Sequence, residues 1–65
     1  NIVADAIMFL SKGVKDFMKD DAVYIMSGII DTRAEEVKES IGKDFDIIEE
    51  HLEKGWVCLA AKAKK

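Results

Sequence analysis

The sequence predicts an α/β fold with the order helix, strand, helix, strand, strand, the last strand running antiparallel to its neighbours. Three observations carry that expectation. Near the start, apolar residues recur at alternating steps of four and three, the signature of one helical face. Val23 to Ile30 is a near-continuous run of β-branched and aromatic residues, the kind of strand that parallel sheets cover on both faces. Two further strand-like stretches are separated only by Glu53-Lys54-Gly55, a short hairpin connection.

The first element spans Val3 to about Met18, with Val3, Ile7, Leu10, Val14 and Phe17 on its apolar face. Gly13 weakens its middle by up to about 1 kcal/mol relative to alanine, so this helix leans on tertiary packing. Lys19-Asp20-Asp21 reads as a turn. The run from Val23 to Ile30 is interrupted only by the small pair Ser27-Gly28. Thr32-Arg33-Ala34-Glu35 then matches a capping box, and the helix it opens turns Ala34, Val37 and Ile41 inward before Gly42 ends it. Phe45 to Leu52 is less apolar. Its Asp46, Glu49 and Glu50 suit an edge strand, where charge discourages stray pairing. Trp56 to Ala63 returns as an apolar strand. The central strand, 23–30, wants neighbours on both sides, and the hairpin can supply only one. Its other edge, with half of the first helix's apolar face, has no partner within these residues, so the chain reads as a piece of a domain.

Composition narrows the function classes. With 65 residues there is room for one small domain at most. No apolar run approaches the roughly 18 residues of a spanning helix, and the opening residues lack the basic segment and cleavage site of a signal peptide. The single cysteine, Cys58, cannot form an intramolecular disulfide, which fits a reducing compartment and a cytoplasmic protein. A net charge of −3 leaves little positive surface for a nucleic-acid backbone, and Lys62, Lys64 and Lys65 read as a solvated tail. The expectation is no direct nucleic-acid partner and no membrane.

Three segments taken together suggest a family: Asn1-Ile2-Val3-Ala4-Asp5, Ile25-Met26-Ser27-Gly28-Ile29-Ile30 and Gly55-Trp56-Val57-Cys58-Leu59. In order and spacing the chain resembles the C-terminal part of bacterial methyltransferases that modify protein eleven of the large ribosomal subunit. The resemblance covers nearly all of residues 1–65, but only about the last fifth of a typical member of that family. It implies a class I, Rossmann-like fold that uses S-adenosylmethionine and transfers methyl groups to amino groups of a ribosomal protein. In that fold the last strand of a seven-stranded sheet is inserted antiparallel between the fifth and sixth. Residues 23–30, 45–52 and 56–63 would be the fifth, sixth and seventh strands. Residues 1–65 would then be the C-terminal portion of one catalytic domain, without its cofactor-binding first half. Two positions depart from the family pattern. Lys19-Asp20-Asp21-Ala22 stands where a Pro-Gly-Gly turn is usual, and Arg33 stands where glutamine is frequent.

By the same resemblance Asn1 is the catalytic candidate, placed just past the fourth strand near the transferred methyl group. A side-chain amide offers one acceptor and two donors, enough to orient an attacking amine for in-line transfer. Read from the residue alone, without the resemblance, Asn1 is a helix N-cap, a position asparagine favours. Ser27 and Gly28 have two readings as well. They leave room for a substrate chain at the strand's carboxyl end, or the glycine lets the first helix pack close. Cofactor-binding residues are not identifiable, because Gly13, Gly28, Gly42 and Gly55 are too scattered to form a cofactor-cradling loop. His51 alternates with Glu49 and Glu53 on one strand face, an arrangement more often solvated than metal-binding, so no metal is expected. Cys58 reads as a small buried hydrophobe and Trp56 as a cover for the sheet's end.

The expected partners are a ribosomal protein substrate and the rest of the same domain, or a second copy meeting the open strand edge. The alternatives are a methyltransferase of the same fold acting on another protein or a small molecule, and a non-catalytic α/β interaction module that pairs its edge with a partner.

Overall fold

In the computed structural model, which describes residues 2–64, helix α1 runs Ile2–Val14 and tightens into a 3₁₀ turn over Lys15–Phe17. Strand β1 (Tyr24–Ile30), helix α2 (Asp31–Ile41), strand β2 (Phe45–Glu53) and strand β3 (Trp56–Ala63) follow. The strands form one sheet in the order β1-β3-β2, and β3 is antiparallel to both neighbours. The order of elements, the inserted last strand and the edge position of β2 agree with the expected α/β architecture.

The turn between β2 and β3 is built by Lys54 and Gly55, at φ values of 51° and 82°. Two successive left-handed residues make the type I′ hairpin, whose twist matches that of the flanking strands. The same hairpin starts α2. The Asp31 N–H donates to the Gly55 carbonyl at 2.9 Å, satisfying a donor that a helix's first turn otherwise leaves bare. That contact explains why the expected capping box does not form. Ile30 occupies the N-cap in an extended conformation with no side-chain cap, two residues before Thr32. At the other end Gly42 closes α2 while staying right-handed, and its N–H donates to the Lys38 carbonyl at 2.9 Å.

Both helices pack on one face of the sheet. Met26, Ile29, Phe45, Val57, Leu59 and Ala61 from the strands meet Ala4 of α1 and Ala34, Val37 and Ile41 of α2. The inward set read for α2 is therefore observed. The apolar face read for α1 is half partnered, as expected. Ile7 and Val14 pack against the core, but Val3, Leu10 and Phe17 are 39, 59 and 91% exposed. The fully buried positions are the small ones, Ala4 and Ser11. Small side chains let α1 approach β1 closely, and the Ser11 hydroxyl there shares a 3.0 Å hydrogen bond with the Tyr24 hydroxyl. Tyr24 in turn packs its ring against Phe45, centroids 5.3 Å apart.

The other face of the sheet is open among the described residues. Ile25 and Trp56, on that side, are 65 and 52% exposed, and Cys58 is half-buried rather than enclosed. The second edge of β1 carries no strand among the described residues. No helix among them is long and apolar enough to cross a membrane.

Candidate functional site

The two strands flanking β3 do not keep a constant register. On β1, Met26 faces Leu59 and Ile29 faces Val57, so Ser27 and Gly28 together stand opposite the single residue Cys58. This is a β-bulge, and Gly28 takes a φ of +78° within it. A residue with a β-carbon is strained at that angle, whereas glycine is not. The strand surrenders bulk at Ser27-Gly28 because the bulge demands it.

The bulge also meets α1. A β-carbon on Gly28 would stand 3.7 Å from Val3 Cγ1, ordinary van der Waals contact. The first turn of α1 therefore lies beside the bulged point of β1, and the close-packing reading of Gly28 has a geometric basis. The room-for-substrate reading has one too. Ser27 and Gly28 are exposed and line a shallow depression of about 360 Å³ with His51, Trp56 and Cys58, on the sheet face opposite the helices. The register explains the grouping. His51 faces Cys58 and Glu53 faces Trp56 on the neighbouring strands, at the hairpin end of the sheet. A larger hollow, about 450 Å³, lies between α1 and the end of α2 beside Met8, Glu36 and Lys43, away from the bulge.

Asn1 lies outside the described residues, and neither its catalytic nor its capping reading is tested by the geometry. Gly28 lies beside Val3, two positions beyond Asn1 in the chain, and with Ser27 it lines the depression formed with the hairpin strands. His51 Nε2 lies 3.0 Å from Glu49 Oε1 on the exposed edge strand. Among the described residues no three metal-binding side chains converge.

An ion-pair cluster that the sequence reading left aside ties the two helix starts together. Arg33, near the start of α2, donates from Nη2 to Asp5 Oδ1 at 2.7 Å and from Nε to Glu36 Oε1 at 2.7 Å. A second contact reaches Glu36 Oε2 at 3.1 Å, so the guanidinium grips Glu36 with two nitrogens while reaching across to α1. The hydrogen bond from Arg33, with its positive charge, holds the Asp5 carboxyl below its ordinary range, and the same donor lowers that of Glu36. The available signal was positional, since Asp5 and Arg33 both fall in the opening turns of their helices. Elsewhere Lys38 joins α2 to β2 through Glu50 at 3.0 Å and also pairs with Glu35 on its own helix, contacts that raise the Lys38 pKa.

With the geometry in hand, comparison with known proteins is specific. The family model for ribosomal protein L11 methyltransferase (PrmA) matches residues 1–64. Three curated proteins named ribosomal protein L11 methyltransferase are similar over nearly the whole chain. The one from Lachnoclostridium phytofermentans is 52% identical over 63 residues, covering 95% of this chain and 19% of that protein. Those from Caldicellulosiruptor bescii and Caldanaerobacter subterraneus subsp. tengcongensis are 47% and 42% identical, each over 98% of this chain and 21% of the relative. The chain thus spans about a fifth of the length of the curated relatives it matches. No solved structure matches it significantly.

Proposed function

The chain belongs to the ribosomal protein L11 methyltransferase family, and on that premise we propose that it forms one wall of the active site in an S-adenosylmethionine-dependent enzyme that methylates amino groups of a ribosomal protein. In this reading residues 1–65 are the C-terminal portion of a single catalytic domain. The observation that carries the placement is the meeting of the first turn of α1 with the Ser27-Gly28 bulge of β1, beside the hairpin of β2 and β3. Ligands of open α/β sheets bind outside the carboxyl ends of the strands, and β1 ends at Ile30, two residues past the bulge.

The roles follow from the side chains. The Asn1 amide accepts a hydrogen bond from the substrate amine, holding the nitrogen lone pair in line with the methyl group. Ser27 and Gly28 line the path of the substrate side chain, with Ser27 offering a hydroxyl donor. S-adenosylmethionine, when bound, supplies an electrophilic methyl on a sulfonium sulfur. The residues present fit only the far side of such a ligand. Their glycines stand singly along the chain and form no loop to cradle its amino-acid end. Family membership favours this reading over a non-catalytic interaction module, and a ribosomal substrate places the reaction in the cytoplasm. A substrate other than a ribosomal protein is the outcome a substrate-profiling assay must distinguish.

The test is Asn1→Ala in the full-length protein that carries these residues. Turnover should fall by about 10- to 100-fold, the scale of losing an orienting contact, while cofactor affinity changes little. Collapse of cofactor binding with normal turnover of the bound complex would overturn the assigned role.

A further inference from the structure

We propose that Arg33 is a positioning residue for methyl transfer: gripping Asp5 from α2, it fixes the first turn of α1 over the β1 bulge and so sets where the start of that helix stands in the active site. The inference rests on the reading of Asn1 given above. The first turn of α1 is anchored on the sheet side by Ala4, which is fully buried, and by Val3 beside Gly28, whereas Ile2 is 87% exposed; the contact from Asp5 to Arg33 ties the same turn to α2. Asp5 lies one helical turn beyond Asn1 in the sequence, so a tether at Asp5 acts on the turn that Asn1 precedes. Arg33 is suited to that task because its own position is set twice. Its backbone sits in the first turn of α2, which the Gly55 carbonyl anchors through Asp31. Its side chain is held by two contacts to Glu36. The side chain is 24% exposed, against 64% for Asp5, so the fixed partner is the arginine and the tethered one is the aspartate. A lysine offers a flexible point charge and cannot make the fork that reaches both carboxylates.

The experiment is a double-mutant cycle in the full-length methyltransferase, measured by steady-state kinetics with S-adenosylmethionine and the ribosomal protein substrate. Asp5→Asn and Arg33→Met should each lower kcat about 5-fold, with the two KM values within about twofold of wild type. The double variant should be no slower than the worse single one, because both remove the same tether. Arg33→Lys should recover only part of the loss. Lys38→Met, which breaks the separate link from α2 to β2, is the control for stability alone and should leave kcat unchanged. Additive losses in the double variant, full kcat in Asp5→Asn, or an equal kcat loss in Lys38→Met would each overturn the proposal. Asn1→Ala in the same assay separates the two readings. If it slows turnover and Asp5→Asn does not, only the tether fails. If it leaves turnover intact, the assigned role of Asn1 and the tether built on it both fall.

Discussion

Val3 Cγ1 lies 3.7 Å from where a β-carbon on Gly28 would stand, so the first turn of α1 and the bulge of β1 are in contact without overlapping. The spacing separates two reasons for a glycine. There is space for a methyl group, but the φ of +78° is one that other L-residues rarely adopt. Gly28→Ala should therefore destabilise the folded protein through its backbone, by roughly 1–2 kcal/mol. Gly28→Asn should cost less, since asparagine tolerates the left-handed region better. Denaturant unfolding of the two variants checks the order. An alanine variant as stable as wild type would show that the bulge relaxes at no cost.

The charged tether makes a pH prediction with a definite sign. Asp5 and Glu36 titrate below their ordinary values of 3.8 and 4.5 because Arg33 donates to both. A carboxyl with a lowered folded-state pKa stabilises the fold above its unfolded pKa, and that contribution is lost as pH falls through the folded value. The link between α1 and α2 should thus be intact at neutral pH and released only below about pH 4. Lys38 has the opposite sign. Its pKa is raised, so its contribution is complete below the ordinary 10.5 and lost as pH rises past the folded value. Both sites are solvent-accessible, and added salt should weaken both effects. Carbon-13 NMR titration of the Asp5 carboxyl checks the first. Its midpoint should rise towards 3.8 in Arg33→Met, and an unchanged midpoint would refute the assigned cause.

What was legible in the sequence depended on how local its causes were. Strand β3 and its turn were readable because Lys54-Gly55 carries the hairpin conformation itself and Trp56 to Ala61 is a continuous apolar run. The Ser27-Gly28 interruption was readable as an anomaly, and the bulge opposite Cys58 is its cause. The start of α2 was misread because the donor at Asp31 is satisfied by Gly55, more than twenty positions away, rather than by a neighbouring side chain. The fully buried positions of α1 were less legible than its apolar face. Hydrophobic periodicity reports where apolar residues cluster, and close helix–sheet packing selects Ala4 and Ser11 for their size instead. The tether from Arg33 to Asp5 crosses between elements and has no periodic signature at all.

The exposed half of that helix face has a consequence for the chain in isolation. Leu10 on α1, Phe17 in the 3₁₀ turn that follows it, and Val23 and Ile25 around β1 are 45–91% exposed, beside a strand edge that carries no partner among the described residues. Such an edge is a template for another strand. The opposite edge, β2, is guarded by Asp46, Glu49 and Glu53. The isolated 65-residue chain should therefore self-associate through the β1 side. Sedimentation velocity should show concentration-dependent species larger than the 7.3 kDa monomer. Ile25→Lys should shift the population back towards monomer. A stable folded monomer at all concentrations would sink the prediction.

The isolated chain should neither bind S-adenosylmethionine measurably nor transfer its methyl group. In an open α/β nucleotide site, the charged end of the ligand is held by a glycine-rich turn at a helix start, and the ribose by an acidic side chain about twenty residues further on. Gly13, Gly28, Gly42 and Gly55 lie at least thirteen residues apart, and each does something else where its role is visible. Gly28 forms the bulge, Gly42 closes α2 and Gly55 makes the hairpin. What the residues offer is the depression beside Ser27 and Trp56, open to solvent across its width. Forgoing several hydrogen bonds to a charged ligand, each worth about 1.5–3 kcal/mol, lowers affinity by many orders of magnitude. Titration calorimetry of the chain against S-adenosylmethionine should give only heats of dilution, and the full-length protein should give a saturable isotherm under the same conditions. A saturable signal from the 65-residue chain at micromolar ligand would mean that its residues hold the cofactor themselves, and the placement of β1, β2 and β3 on the far side of the ligand would be wrong.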